Sequence, residues 1–240
     1  MPSTPTPRVI FIRHGQTAWS KSGQYTSFTD LSLTDYGVKQ MKATGKAVVN
    51  TIILPENVTK IICSPRKRAK ESIDIIMDYI SESEKSHIVF EVNENIREWE
   101  YGDYEGLLTK EIIQLRKSRG LDDGGKTIWN IWEHGCENGE SAIEVETRLK
   151  NLAQEIREIH AIAFKEKKPC DIIVVAHGHI LRSFTNVWLG KPINRNPQYI
   201  LNSGGIGVLS YQHNDINEPA LELAGAFYVP VEEEAQHTIN

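Results

Sequence analysis

The chain has 240 residues, 40% of them hydrophobic and 25% charged, and its formal net charge is −5. These values are typical of a globular protein and predict one domain, 1–240, with a sizeable core. The sequence argues against three classes of protein. An acidic chain lacks the basic face of a nucleic-acid-binding protein, no apolar run is long enough for a membrane-spanning helix, and residues 1–7 do not resemble the signal peptide of a secreted protein.

The chain contains three cysteines, Cys63, Cys136 and Cys170. An odd number without metal-ligand spacing is typical of reduced thiols inside the cell. We therefore expect a cytoplasmic protein, with the nucleus as the alternative location. A homo-oligomer is compatible with the sequence, which does not specify one.

The first predicted element is a buried strand at 9–12, which leads into Arg13-His14-Gly15. Ligands of open α/β sheets bind at the carboxyl ends of strands, so this strand brings a cation and an imidazole to such an edge. Gly15 is expected to let the backbone approach a ligand closely. The polar segment 16–32 follows and is expected to wrap around the site.

The next predicted elements alternate between helix and strand. Thr34 is the expected N-cap of an amphipathic helix that extends to Ile52 and is ended by Pro55. A strand at 60–63 is followed by a helix that begins at Ser64-Pro65, and then by a strand at 88–92.

The pattern from 95 to 140 is irregular and rich in aromatic residues. We interpret this segment as an inserted lid subdomain that covers the sheet edge. Its aromatic side chains are expected to pack against each other rather than to stack on a ligand; they are Trp99, Tyr101, Tyr104, Trp129 and Trp132.

A capping-box pattern at 141–144 predicts the start of a long helix whose apolar face includes Ile143 and Leu149. An apolar strand at 172–176 then leads into His177-Gly178-His179 and a further helix. Final strands are predicted at 206–211 and 220–224.

The acidic tail at 232–234 is expected to be mobile. The order of the elements predicts an α/β fold, a three-layer sandwich with a mostly parallel central sheet and helices on both faces. Two distant strands of this sheet each end in a histidine followed by a glycine, which is unusual for histidines with a purely structural role.

These motifs carry a family resemblance. Arg13-His14-Gly15 together with the later His177-Gly178 resembles the histidine phosphatase superfamily, which includes phosphoglycerate mutases. The stretches 20–25, 97–106 and 204–211 are similar to fungal sedoheptulose bisphosphatases within that superfamily. The similarity extends nearly to the C-terminus, although the chain is shorter than those enzymes between Leu189 and Asn202.

The resemblance implies a catalytic set for phosphoryl transfer. His14 would be the nucleophile that forms a phosphohistidine, with its other ring nitrogen held by a backbone carbonyl. Glu98 would protonate the leaving group, with Glu100 and Glu105 as local competitors. The phosphate pocket would be completed by Arg13, Arg68 and His177.

The resemblance also implies a small-molecule sugar bisphosphate as the substrate, hydrolysed at the C1 phosphate of sedoheptulose 1,7-bisphosphate. A second phosphate would need its own donors, for which Arg182 and His213 are the candidates. No metal and no cofactor are expected. The remaining candidates for substrate binding are Ser20, Gln24, Tyr25, Thr26, Tyr101 and Gly178.

Two alternatives remain open at this point. A phosphoglycerate mutase, or another small-molecule phosphatase of the superfamily, would use the same phosphohistidine; against a mutase, Ser20 stands where mutases commonly have asparagine. A catalytically weak protein that only binds phosphorylated ligands is the other alternative, and the intact catalytic set argues against it.

Overall fold

The computed structural model describes residues 5–227. The predicted acidic tail at 232–234 lies outside these residues. The strands are β1 (Arg8–Arg13), β2 (Val58–Cys63), β3 (Val89–Val92), β4 (Asp171–Ala176), β5 (Ile206–Tyr211) and β6 (Pro219–Phe227). The α-helices are α1 (Ala18–Ser22), α2 (Asp35–Val48), α3 (Lys67–Met77), α4 (Glu82–Lys85), α5 (Thr109–Ser118), α6 (Ile131–His134), α7 (Ala142–Glu166) and α8 (Gly178–Trp188).

The strands form one sheet in the order β3-β2-β4-β1-β5-β6. The first four strands in this order are parallel, whereas β5 is antiparallel to both β1 and β6. In the register of the central pair, Arg13 lies opposite Ala176. The carboxyl ends of β1 and β4 therefore meet at one edge, so that the two His-Gly motifs that follow them are brought together.

The sheet is covered on both faces, as predicted. Alternate residues of β1 enter different cores, because successive side chains of a strand point to opposite faces. Val9 and Phe11 belong to a core formed with α7, α8 and the 95–140 segment. Ile10 and Ile12 belong to a core formed with α2 and α3. The result is the predicted three-layer α/β sandwich.

Two predicted helix boundaries and one predicted core residue need correction. α2 ends at Val48, well before Ile52, and α3 begins at Lys67 with Arg66 as its N-cap instead of at Ser64-Pro65. Ile143 is 79% exposed because it lies in the first turn of α7 on the side away from the sheet, whereas Val145 is fully buried.

α7 is the longest helix, with 25 residues. Ser141 caps it with the predicted capping box, in which the Glu144 carboxylate accepts from the Ser141 backbone N–H. Among residues 5–227 neither this helix nor any other combines the length and apolar composition that a membrane crossing requires.

The 95–140 segment contains α5, α6 and several short turns of 3₁₀-helix. Its aromatic side chains are buried in the same core as α7 and α8, so the expectation that they pack is confirmed. Trp99 illustrates the arrangement, because its ring lies edge-on to Trp132 and its indole N–H donates to the Glu140 carbonyl. The segment therefore packs into the same core as α7, α8 and one face of β1.

Candidate active site

His14 lies directly after β1 and is 5% exposed. Its backbone N–H donates to the Ala176 carbonyl at 3.0 Å, which ties the loop to the end of β4. Its ring Nδ1 is 2.7 Å from the Gly15 carbonyl, and a carbonyl can only accept, so Nδ1 carries the proton. Nε2 is left with a lone pair, which is the form of imidazole that can attack phosphorus.

Gly15 has a different role from the predicted one. A Cβ at this position would lie 2.6 Å from the Gly37 carbonyl oxygen of α2. The close approach that requires glycine is therefore between the catalytic loop and α2. The expectation that it serves approach to a ligand is wrong.

His177 lies beside His14, and the centroids of the two rings are 5.0 Å apart. Arg68 Nε donates to His177 Nδ1 at 3.1 Å. An arginine can only donate, so Nδ1 accepts and the ring proton is on Nε2, which is 2.6 Å from the Ser64 hydroxyl. His177 is thus a neutral residue that orients Arg68, and Ser64 is its second partner.

The two arginines also bind backbone carbonyls near the site. Arg68 donates to the carbonyls of Thr26 and Thr29, so it also holds the loop after α1. Arg13 donates through Nη1 to the Leu201 carbonyl at 2.6 Å, while its buried Nε has no hydrogen-bond partner. Burial lowers the pKa of Arg13 to about 10, which leaves it cationic at neutral pH.

Glu98 is 5% exposed and joins the site to α8. Its carboxylate accepts from three backbone N–H groups, those of Trp99 at 2.9 Å, His179 at 3.2 Å and Ile180 at 3.0 Å. Two of these belong to the first turn of α8, whose N–H groups have no partner within the helix. Of the predicted competitors, Glu105 instead binds the backbone of the loop at 27–29.

A cavity of about 440 Å³ opens at this sheet edge. His14, Glu98, Arg13 and Arg68 line it, whereas His177 is buried behind them. Seven of the eight predicted substrate-binding residues also line it: Ser20, Gln24, Tyr25, Thr26, Tyr101, Gly178 and Arg182. The Ser20 hydroxyl is already used in the capping box of α1, where it bonds Thr17.

His213 is the eighth predicted residue, and its assignment is wrong. β5 runs antiparallel to β1, so its carboxyl end lies at the opposite edge of the sheet from His14. There His213 is exposed and forms an ion pair with Glu218. Its pKa is raised by that pairing, as expected for a surface histidine beside a carboxylate.

Several cavity residues were not predicted. The His179 ring is stacked on Tyr25 with centroids 5.5 Å apart, and its Nδ1 is 2.8 Å from the Tyr101 hydroxyl. The 95–140 segment contributes Trp129 and Trp132, which both pack and line the cavity. The segment between Leu189 and Asn202 also lines the cavity, with Asn196, Tyr199, Ile200, Leu201 and Asn202.

Three histidines of the site predict how stability depends on pH. The pKa values of His14, His177 and His179 lie well below 6.5, because burial disfavours the charged ring and nearby arginines repel it. Below pH 6.5 the unfolded chain binds protons that the folded protein does not, so the free energy of unfolding falls as the pH falls. Between pH 7.5 and 5.5 each of these histidines should therefore lower the free energy of unfolding, by on the order of 1 kcal/mol.

Urea unfolding at the two pH values measures this difference, and His14→Ala should make the dependence shallower. Equal stability at pH 7.5 and 5.5 would show that these histidines are not held neutral.

Residues 9–222 match the histidine phosphatase superfamily (branch 1). The chain belongs to this superfamily. The resemblance seen in the sequence is thereby confirmed.

Sedoheptulose 1,7-bisphosphatase of Saccharomyces cerevisiae is 46% identical over 271 aligned positions, which cover 99% of each chain. Because 271 positions exceed the 240 residues present here, the yeast enzyme has residues without a counterpart in this histidine phosphatase. An acid phosphatase of Mycobacterium tuberculosis is 30% identical over 91% of this chain and 93% of its own. The solved structure of a Mycobacterium tuberculosis open reading frame superposes with a TM-score of 0.70 at 28% identity, covering 91% of this chain and 97% of that chain.

Proposed function

We propose that the protein is a sugar-bisphosphate phosphatase that hydrolyses the C1 phosphate of sedoheptulose 1,7-bisphosphate through a phosphohistidine. The observation that carries the chemistry is His14, whose Nδ1 is tied to the Gly15 carbonyl while its ring faces a cavity shared with two arginines. The choice of sugar is supported by the 46% identity to the yeast enzyme over nearly the whole chain.

The reaction would proceed in two balanced steps. In the first, His14 Nε2 forms a bond to phosphorus, the P–O bond to the sugar breaks, and the leaving oxygen takes a proton from Glu98. In the second, the oxygen of a water molecule bonds to phosphorus, the bond between phosphorus and His14 Nε2 breaks, and the water gives a proton back to Glu98, so that inorganic phosphate leaves and the imidazole is regenerated. Arg13 and Arg68 stabilise the charge on the phosphoryl oxygens in both steps.

We further propose that the 95–140 segment acts as a cover for the site within a single catalytic domain. Its residues from Trp129 to Trp132 form one wall of the cavity. The cavity volume of about 440 Å³ lies within the usual range for a small-molecule site. Three free, buried cysteines support a reducing cytoplasmic location.

The direct test is a panel of phosphate esters that includes sedoheptulose 1,7-bisphosphate, other sugar bisphosphates, and 2- and 3-phosphoglycerate. Release of inorganic phosphate fastest from the seven-carbon bisphosphate, with the 7-phosphate retained on the product, would support the proposal. Interconversion of the phosphoglycerates at a higher rate than phosphate release would favour a mutase. Binding of the esters without turnover would favour a phospho-ligand binding protein.

Arg182 should select for the second phosphate. It lines the cavity one turn into α8, its Nε donates to the Gly178 carbonyl, and its guanidinium lies 5.1 Å from the Trp132 ring centroid. Arg182→Ala should lower kcat/KM for the bisphosphate. The loss corresponds to an increase in activation free energy of about 1.5–3 kcal/mol, the range for a hydrogen bond to a charged group. Hydrolysis of a small monophosphate ester should change little.

The matched control for this prediction is Arg195→Ala, which removes an exposed arginine that does not line the cavity. Equal losses on the bisphosphate and the monophosphate would place Arg182 at the reacting phosphate. No loss on either substrate would show that Arg182 does not bind the substrate.

Activity should survive an excess of EDTA. Arg13 and Arg68 supply the cationic groups that a phosphoryl transfer site needs, and both line the cavity beside His14. Rates of phosphate release before and after prolonged dialysis against EDTA measure the effect. Loss of activity that Mg²⁺ restores would show that an ion supplies part of the charge stabilisation.

A further inference from the structure

Arg148 is a buried residue of α7 whose guanidinium is fully used. Nε and Nη2 bind the two carboxylate oxygens of Glu140, at 2.8 Å and 2.9 Å. Nη1 donates to the carbonyls of Asn95 at 2.7 Å and Arg97 at 2.9 Å, and Nη2 also approaches the Glu98 carbonyl at 3.4 Å. All five N–H donors of an arginine are thus engaged, three of them on the backbone at and before Glu98.

Glu140 holds the other side of the same backbone. Its Oε2 accepts from the Glu100 N–H at 2.9 Å, and its Oε1 accepts from Arg97 Nη2 at 2.8 Å. Its main chain also exchanges hydrogen bonds with the segment, because the N–H donates to the Glu100 carbonyl and the carbonyl accepts from the Trp99 indole. The 97–100 segment is therefore bound on both sides of Glu98.

Neither Arg148 nor Glu140 lines the cavity, so neither would touch a substrate. Their contacts are with the backbone that carries Glu98, while the Glu98 carboxylate itself is bound by the first turn of α8. The Glu98 residue is thus fixed twice, its backbone from α7 and its side chain from α8. A fork-shaped arginine suits this role, since it can serve several carbonyls and one carboxylate in a single plane.

We propose that Arg148 and Glu140 are positioning residues that hold Glu98 at the distance needed for proton transfer to the leaving oxygen. This inference rests on the proposed function, in which Glu98 is the proton donor. Proton transfer requires a heavy-atom distance of about 2.6–3.2 Å, so a small displacement of the backbone removes it. The two residues would act on catalysis through Glu98 alone.

Arg148→Lys and Glu140→Gln test the proposal. A lysine has three N–H donors and no fork, and a glutamine replaces a carboxylate oxygen with an amide that faces other donors. We expect kcat/KM for alkyl phosphates, which need a protonated leaving group, to fall up to about 100-fold, the cost of a displacement of roughly 1 Å. With 4-nitrophenyl phosphate, whose leaving group needs no proton, kcat/KM should fall only a few-fold, because this ratio excludes the later hydrolysis of the phosphohistidine.

Arg157→Lys is the matched control. Arg157 lies on the same helix, and its Nη2 donates to a backbone carbonyl, that of Ile216, far from Glu98 in the chain. All rates are to be normalised to the amount of enzyme that forms phosphohistidine, and thermal unfolding is to be measured for each variant. A variant that is merely less stable would then show the same loss on both esters.

Combining Arg148→Lys with Glu98→Gln should give no further loss on alkyl phosphates, because residues that act as one unit are not additive. Equal losses of Arg148→Lys and Glu140→Gln on both ester types, or no loss on either, would overturn the inference. If Glu98→Gln itself slows both types equally, the proton-donor role of Glu98 is wrong. If Glu98→Gln is selective and the other two variants are not, only the positioning role fails.

Discussion

His14→Ala should lose turnover of every phosphate ester by several orders of magnitude. The His14 ring is locked with its proton on Nδ1 by the Gly15 carbonyl, so Nε2 is a ready nucleophile. Burial and two neighbouring arginines hold the pKa of this ring well below 6.5, so it is unprotonated at neutral pH. Alanine removes the atom that would bond to phosphorus, and the loss of a covalent catalyst is not compensated by the remaining groups.

Rapid quenching after mixing with ³²P-labelled substrate should trap phosphate on His14 of the unaltered protein, in an acid-labile and base-stable form. His213→Ala is the control, since that histidine is exposed at the other edge of the sheet and should keep full activity. Near-normal turnover by His14→Ala, or labelling of another residue, would contradict the proposed mechanism.

Much of the fold could be predicted from the sequence because its main signals are local. The runs at 9–12 and 172–176 are apolar at every position, as expected for strands buried on both faces, and they became β1 and β4 at the centre of the sheet. Thr34 and Ser141 cap helices where their side chains indicated. The family motifs depend on the same local sequence, and four residues that they identified line one cavity: Arg13, His14, Arg68 and Glu98.

The predictions were wrong where the structure depends on the direction of a strand or on contacts between residues far apart in the sequence. Nothing in the strand at 206–211 indicates that it runs antiparallel to β1, yet that direction carries His213 away from the cavity. Periodicity placed Ile143 on the buried face, but in the first turn of α7 it is Val145 that is buried and Ile143 that is exposed. Gly15 was assigned to a ligand because its true neighbour, Gly37, is brought close only by folding.

Contacts between distant parts of the chain also explain why some residues of the site were not predicted. Ser64 lies in a segment that indicated a helix start, and only the tertiary fold places its hydroxyl on His177. Trp129 was predicted to pack in the core, which is correct, but its side chain also lines the cavity. His179 was given no role from the sequence, whereas in the structure its ring contacts Tyr25 and Tyr101.

Glu98→Gln should slow hydrolysis of sugar phosphates by about 100- to 10,000-fold, the usual contribution of a positioned general acid. A glutamine amide cannot deliver the proton that a sugar alkoxide needs when it leaves. Its single carbonyl oxygen can still accept from Trp99 and Ile180, while its NH₂ group would face the His179 N–H. The fold should therefore survive with a modest loss of stability at the start of α8.

The decisive measurement is the dependence of kcat/KM, which reports only the steps up to departure of the leaving group, on the pKa of that group, across a series from alkyl to nitrophenyl phosphates. Glu98→Gln should become steeply dependent, because good leaving groups depart without protonation and poor ones do not. Glu100→Gln is the control, since Glu100 is half exposed and its carboxylate pairs with Arg97 on the surface. If the Glu98→Gln rates fall equally across the series, the leaving-group proton does not come from Glu98, and the acid must be sought among the other residues that line the cavity. A selective loss in Glu100→Gln instead would also exclude Glu98 as the proton donor.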